Sequence, residues 1–155
     1  MYVLPNTMIK AFLLAIEGST TLFPSGFLLK LYTNNITPSG TNVVGDFTQL
    51  TNVEVPGYVA GAPTWNATPQ RNQDNSWSDS MSDILFAATS TPPSPQVVYG
   101  WLLTDSGGTT LLGAGLLDVP FTFQDNGDGF QLEGSINCNQ TSDDQVTTTL
   151  EMIQS

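Results

Sequence analysis

Val97-Val98-Tyr99-Gly100-Trp101-Leu102-Leu103-Thr104 runs straight into Asp105-Ser106-Gly107-Gly108 and then into Thr109-Thr110-Leu111-Leu112-Gly113-Ala114-Gly115-Leu116-Leu117. The first run is continuously apolar, rich in β-branched and aromatic residues, and shorter than an ordinary helix. That pattern predicts a buried strand rather than an amphipathic one. Asp and Gly between two such runs are the residues of a tight reversal. The three pieces together predict an antiparallel hairpin with little exposed surface.

The pattern repeats on either side. Val119 to Gln124, the turn Asp125-Asn126-Gly127-Asp128-Gly129, and Phe130 to Asn137 read as a second hairpin. Gln145 to Ile153 alternates weakly, as an edge strand or an arm does. Towards the N-terminus, Asp83 to Thr89 reads as a buried strand before the turn Thr91 to Pro95, and residues 61–80 read as a long loop carrying Trp65 and Trp77. Val43 to Leu50 and Phe27 to Thr33 are further strands, the latter ended by Asn34-Asn35. Met8 to Glu17 differs: after Pro5-Asn6-Thr7, the residues Met8, Ile9, Phe12, Leu13 and Ile16 form one helical stripe that Gly18 stops. The expected fold is therefore mainly β: an antiparallel β-sandwich, jelly-roll-like, with one N-terminal α-helix. Its expected parts are a helix or arm over 1–18, the sandwich over 19–138, and an edge strand or arm over 139–155.

The chain has 155 residues, enough for one domain. Charged residues make up 11% of it, against roughly 25% in an average soluble protein. The net charge is -11, and there is no His and a single Cys. Lack of His removes Ser-His-Asp and Cys-His catalysis and His-ligated metals. One Cys removes intrachain disulfides and zinc ribbons. Lys10, Lys30 and Arg71 are the only cations, too few to cover a phosphate backbone or to hold an anionic membrane. No phosphate-cradling Gly-rich signature occurs. No apolar run approaches the ~20 residues of a membrane span, and Glu17 interrupts the only run that resembles a signal peptide. These counts point to a binding or structural protein with no cofactor, no nucleic acid and no membrane.

The charge is uneven. Residues 1–71 are neutral, whereas residues 72–155 hold no Lys or Arg and carry the whole -11. Such a half is either a solvated acidic surface or a face for a basic partner.

Few residues carry chemistry. Asp125 and Asp128 crowd oxygens onto a Gly-rich turn, as a calcium site does, but without the ligand spacing or closing bidentate Glu of a calcium loop. Asn-Gly and Asp-Gly are equally hairpin turn pairs, so the turn is the simpler reading. Trp65 and Trp77, with Tyr58, Tyr99 and Trp101, could stack on a neutral sugar; mid-strand Trp101 fits a core better. The acid pairs Asp79/Asp83 and Asp143/Asp144 have the residue types of a glycosidase, but nothing in their spacing sets two carboxylates across a cleft. Phe12 and Leu13 on the helix, with Trp65 and Trp77 on the loop, are the candidate interface residues.

Several of these pieces resemble a group of tailed-bacteriophage virion proteins. The resemblance rests on Leu31-Tyr32-Thr33-Asn34-Asn35-Ile36-Thr37-Pro38 after an N-terminal helix, on Gly57-Tyr58 after Val44-Gly45-Asp46-Phe47-Thr48, on Tyr99 to Gly108 continuing into Leu111-Leu112-Gly113-Ala114, and on Gly127-Asp128-Gly129-Phe130. It spans about Met8 to Ile136 and lies in the order and spacing of motifs that are individually short. It implies a non-enzymatic protein of the virion that decorates or cements the capsid surface, binds the major capsid protein, forms a dimer or trimer, and is made in the bacterial host cytoplasm. A tail-associated, lectin-like adhesin is the alternative it leaves. It carries over no catalytic residue, and the lack of cations after Arg71 departs from the pattern.

Overall fold

The computed structural model of the chain describes residues 2–3, 26–64, 70–71, 77–141 and 145–155. Among them the protein is mainly β. Its strands are β1 (Tyr2–Val3), β2 (Phe27–Tyr32), β3 (Gln70–Arg71), β4 (Trp77–Ser80), β5 (Ile84–Ala87), β6 (Gln96–Asp105), β7 (Leu111–Phe123), β8 (Gly129–Thr141) and β9 (Gln145–Gln154). Every pairing among these strands is antiparallel. The first sheet has the order β1-β7-β6-β2. The second is built on β8, which pairs with β5 through Leu132 and with β4 from Ser135, while β9 runs along its other edge. β3 extends this sheet beyond β4.

β6 explains why its sequence is continuously apolar. Val98, Trp101 and Leu103 join the main core with Leu29 and Leu31 of β2 and with Phe86, Phe130 and Leu132 of the second sheet. Leu102 joins a smaller cluster with Tyr32, Phe47, Leu111 and Ala114 on the other face. A strand buried on both faces has no polar face to alternate with. Each Leu so buried stabilises the fold by about 2 kcal/mol. A ladder of rings crosses the main core, with centroids 5.8 Å apart for Tyr58–Phe86, 5.8 Å for Phe86–Phe130 and 4.8 Å for Phe121–Phe130.

β2 and β6 meet where the two longest motifs lie. Leu31 pairs with Trp101 and Tyr32 with Gly100. The Tyr32 hydroxyl points back over β6 to the Gly115 carbonyl oxygen at 3.2 Å. A Cβ on Gly100 would overlap both that carbonyl and the hydroxyl, so glycine is required there by close approach.

Several expectations change. Val119 does not open a new strand: it sits in a bulge of β7, because Val98 pairs with Phe121 while Gly100 pairs with Leu116. Pro120 in this bulge gives up no ladder hydrogen bond. The turn over Asp125 to Gly129 does not close a hairpin; it carries the chain from β7 in the first sheet to β8 in the second. Val43 to Leu50 is not a strand but a 3-10 turn at Val44–Asp46 with an isolated bridge from Gln49 to Tyr32. Its β-propensity is overridden because the Asp46 carboxylate accepts the Val43 N–H at 2.9 Å and closes a turn. The expected loop over 61–80 contains β3 and β4. The end expected near Asn137 falls inside β8, which β9 extends by pairing as far as Thr141. The helix expected over Met8–Glu17, with Phe12 and Leu13, lies outside the described residues.

Candidate functional site

Among the described residues, two sets of acids stand out, and the first belongs to turns. Asp128 Oδ2 accepts the backbone N–H of Gln124 and that of Asp125, both at 2.7 Å. Asp105 Oδ1 accepts those of Thr109 at 2.7 Å and Thr110 at 2.8 Å. Asp46 Oδ2 accepts from the Asn42 side chain and the Val43 N–H. Hydrogen bonds from the Asp125 and Gln124 amides hold the Asp128 carboxyl below the usual carboxylate range; the Thr110 and Thr109 amides do the same for Asp105, and the Asn42 side chain and Val43 amide for Asp46. These carboxylates are spent on the backbone that surrounds them. Asp128 therefore acts as the lock of its turn, where Gly127 takes the left-handed φ of 89°. Among the described residues, no cluster of three or more Asp, Glu or Cys is placed to hold a metal.

The second acidic group lies on the outer face of the second sheet. Phe130, Leu132 and Gly134 of β8 point inward, so Gln131, Glu133 and Ser135 point outward. Residues directly opposite across an antiparallel ladder share a face. Leu85 therefore lies beside Gln131, Ile153 beside Glu133, and Glu151 beside Ser135. Leu85 is 68% exposed and Ile153 50%. Where β4 gives way to β5, a depression of about 280 Å³ opens among Met81, Asp83, Glu133, Gly134, Glu151 and Ile153. Its floor is apolar: Met81 is buried, and the missing Cβ of Gly134 leaves room for the sulfurs of Met81 and Met152. Its rim is acidic. Strands β4, β5, β8 and β9 all fall after Arg71, so none supplies a cation.

The described aromatic candidates belong to the packing of the fold. Trp101 and Tyr58 are buried in the main core. The Tyr58 hydroxyl accepts the Leu31 N–H at 2.9 Å, and burial pushes its pKa up to about 12. Tyr99 packs against the smaller cluster. Trp77 opens β4 opposite Cys138, and Trp65 lies outside the described residues. Of the acid pairs, Asp83 sits at the depression and accepts from the Gln131 side chain at 3.3 Å, Asp79 is on β4, and Asp143 and Asp144 lie outside the described residues. The outer-face set of Leu85, Glu133, Glu151 and Ile153 was not singled out by sequence. Alternation in Phe130-Gln131-Leu132-Glu133 signals one polar face, but only strand register brings Leu85 and Ile153 onto it. Compared with known proteins, the chain matches no family model, no curated protein and no solved structure.

Proposed function

We propose that this chain is a non-enzymatic structural protein of a tailed-bacteriophage virion, a β-sandwich of jelly-roll type with an N-terminal helical arm. In this reading it docks on the capsid surface as a cement or decoration protein and bridges major capsid subunits. Such a protein works by adding buried area across subunit boundaries, about 1,200–2,000 Å² per contact, multiplied by the symmetry of the lattice.

The observation that carries the reading is the meeting of the two motifs on which the resemblance rests. Leu31-Tyr32 and Gly100-Trp101 lie far apart in sequence and form one ladder, with Tyr32 opposite Gly100. Asp105 and Gly108 then close the turn that ends the second motif, with the Gly108 N–H donating to the Asp105 carbonyl at 2.9 Å. The motif residues thus act as one packed unit, which supports a shared fold rather than chance matches.

The test is stoichiometry in purified particles. Quantitative mass spectrometry should find this chain at hundreds of copies per particle, and labelling should place it on the head. Its absence from particles would overturn the reading, and a handful of copies at the tail would favour the adhesin alternative. That alternative rests on Trp65, which lies outside the described residues, and Trp77, which opens β4.

A further inference from the structure

We infer that the outer face of the second sheet, around Leu85 and Ile153, is the docking surface of this protein, and that its occupant is a basic protein surface whose Lys or Arg side chain enters the depression beside Ile153. The partner's location on the capsid rests on the virion reading above; the face itself rests on the geometry of the sheet.

Leu85 and Ile153 are large aliphatic side chains on a sheet face, exposed by 68% and 50%. They flank the outward row of β8, with Leu85 opposite Gln131 and Ile153 opposite Glu133. The depression between the strands has Met81 and Gly134 at its base and Asp83, Glu133 and Glu151 around it. A long cationic side chain matches that arrangement, because its methylene stem covers apolar surface while its head group reaches the carboxylates. Arg adds a planar fork that suits paired carboxylates.

Charge decides between occupants. A second copy seated on this face by a two-fold axis would bring the same patch against itself. The acidic rim holding Glu133 and Glu151 would then be brought up to a second acidic rim, and the two repel. A basic partner meets complementary potential instead, because the strands around the depression, β4, β5, β8 and β9, carry no Lys or Arg; the sheet's one cation, Arg71, is on β3, at the edge beyond β4. Three strands about 4.8 Å apart make a patch of a few hundred Å² at most. That is smaller than the ~800 Å² per partner of a standard interface, so this face is the central anchor of a larger contact.

The experiment is co-sedimentation of the purified full chain with purified phage heads that lack it, at about 50 mM and about 500 mM salt. The variants are Glu133→Gln with Glu151→Gln, and separately Leu85→Ser. Both change exposed side chains, and thermal melting equal to wild type confirms folding. The charge-neutral pair should bind about tenfold more weakly at low salt, with the gap closing at high salt. Leu85→Ser should weaken binding about tenfold at both salts. Wild type that sediments with heads while both variants bind equally well would overturn this face and leave the virion reading standing. Wild type that does not sediment with heads would overturn the capsid-docking reading itself. Sedimentation velocity supplies the remaining outcome: a self-association lost in Leu85→Ser would make a second copy the occupant and overturn the basic partner.

Discussion

On β6, Trp101 and Leu102 are sequence neighbours and both are buried; on β8, Leu132 is buried and its neighbour Glu133 is exposed. The first sheet is packed on both faces, by the second sheet on one side and by the segment around Ile36, Val44 and Phe47 on the other. Among the described residues, the second sheet packs its Phe86, Phe130 and Leu132 face into the core and leaves Leu85, Glu133, Glu151 and Ile153 exposed on the other. A strand enclosed on both faces has no freedom to present chemistry, and its residues are chosen by volume. A half-covered strand spends every second residue outside the core, and those residues are open to selection for contact. The acids divide in the same way. Asp105 and Asp128 point their oxygens at their own turns, while Glu133 and Glu151 rim a depression that opens outward.

The largest test of this contrast is Gly100→Val. A side chain there collides with the Gly115 carbonyl and the Tyr32 hydroxyl at the heart of the first sheet. The expected loss is about 3 kcal/mol, read as a lower urea midpoint with unchanged slope. Next comes a matched pair, one leucine from each sheet. Leu102→Ala should cost about 3 kcal/mol, because the side chain is fully buried. Leu85→Ala should stay within about 0.5 kcal/mol, because most of its side chain faces water. Equal losses at the two positions would break the comparison. The smallest effect concerns the turns. The Asp128 carboxyl is held below its ordinary value, so its contribution is present above the unfolded pKa and is lost as pH falls through the folded one. Asp128→Asn should therefore be less stable than wild type at neutral pH, and the two should converge as pH falls below the ordinary carboxylate range in acid titrations followed by circular dichroism. A gap that persists in acid would mean that the lock does not depend on the charge.

Much of the first sheet was legible because its strands declare themselves locally. The run Val97 to Thr104 can only be a buried strand, and Asp105 to Gly108 can only reverse it. The second sheet was less legible, because β3 and β4 lie in a Pro-, Asn- and Ser-rich segment where no periodicity announces a strand. β4 is a strand because β8 offers it a ladder, and β3 because β4 does in turn, which is tertiary context overriding propensity. The turn over Asp125 to Gly129 has hairpin chemistry, but the path of the chain beyond it depends on whether Phe121, Phe123 and Phe130 meet as neighbours in one sheet or across two. Here they stack across the core. The outer-face group was invisible for the same reason. Leu85 and Ile153 lie far apart in the chain, and only the β5–β8–β9 register brings them to one surface.

The pairing of β2 with β6 also sets an order of events during synthesis. The Thr104 hydroxyl reaches the Leu28 carbonyl across 76 residues of sequence. On the ribosome, Phe27 to Tyr32 emerges as an apolar strand; Thr48, Leu50 and Gly61 can bond to one of its edges early, but the other edge has no ladder partner until β6 is made. The hairpin of β6 and β7 can close locally, whereas β2 must bear the loop-closure entropy of the long segment between. Lys30, held by Gln49 at 2.9 Å in the finished sheet, is the one charge in that waiting strand. A charge within an apolar strand disfavours pairing with another chain, a role Lys30 is suited to before there is any sheet to stabilise.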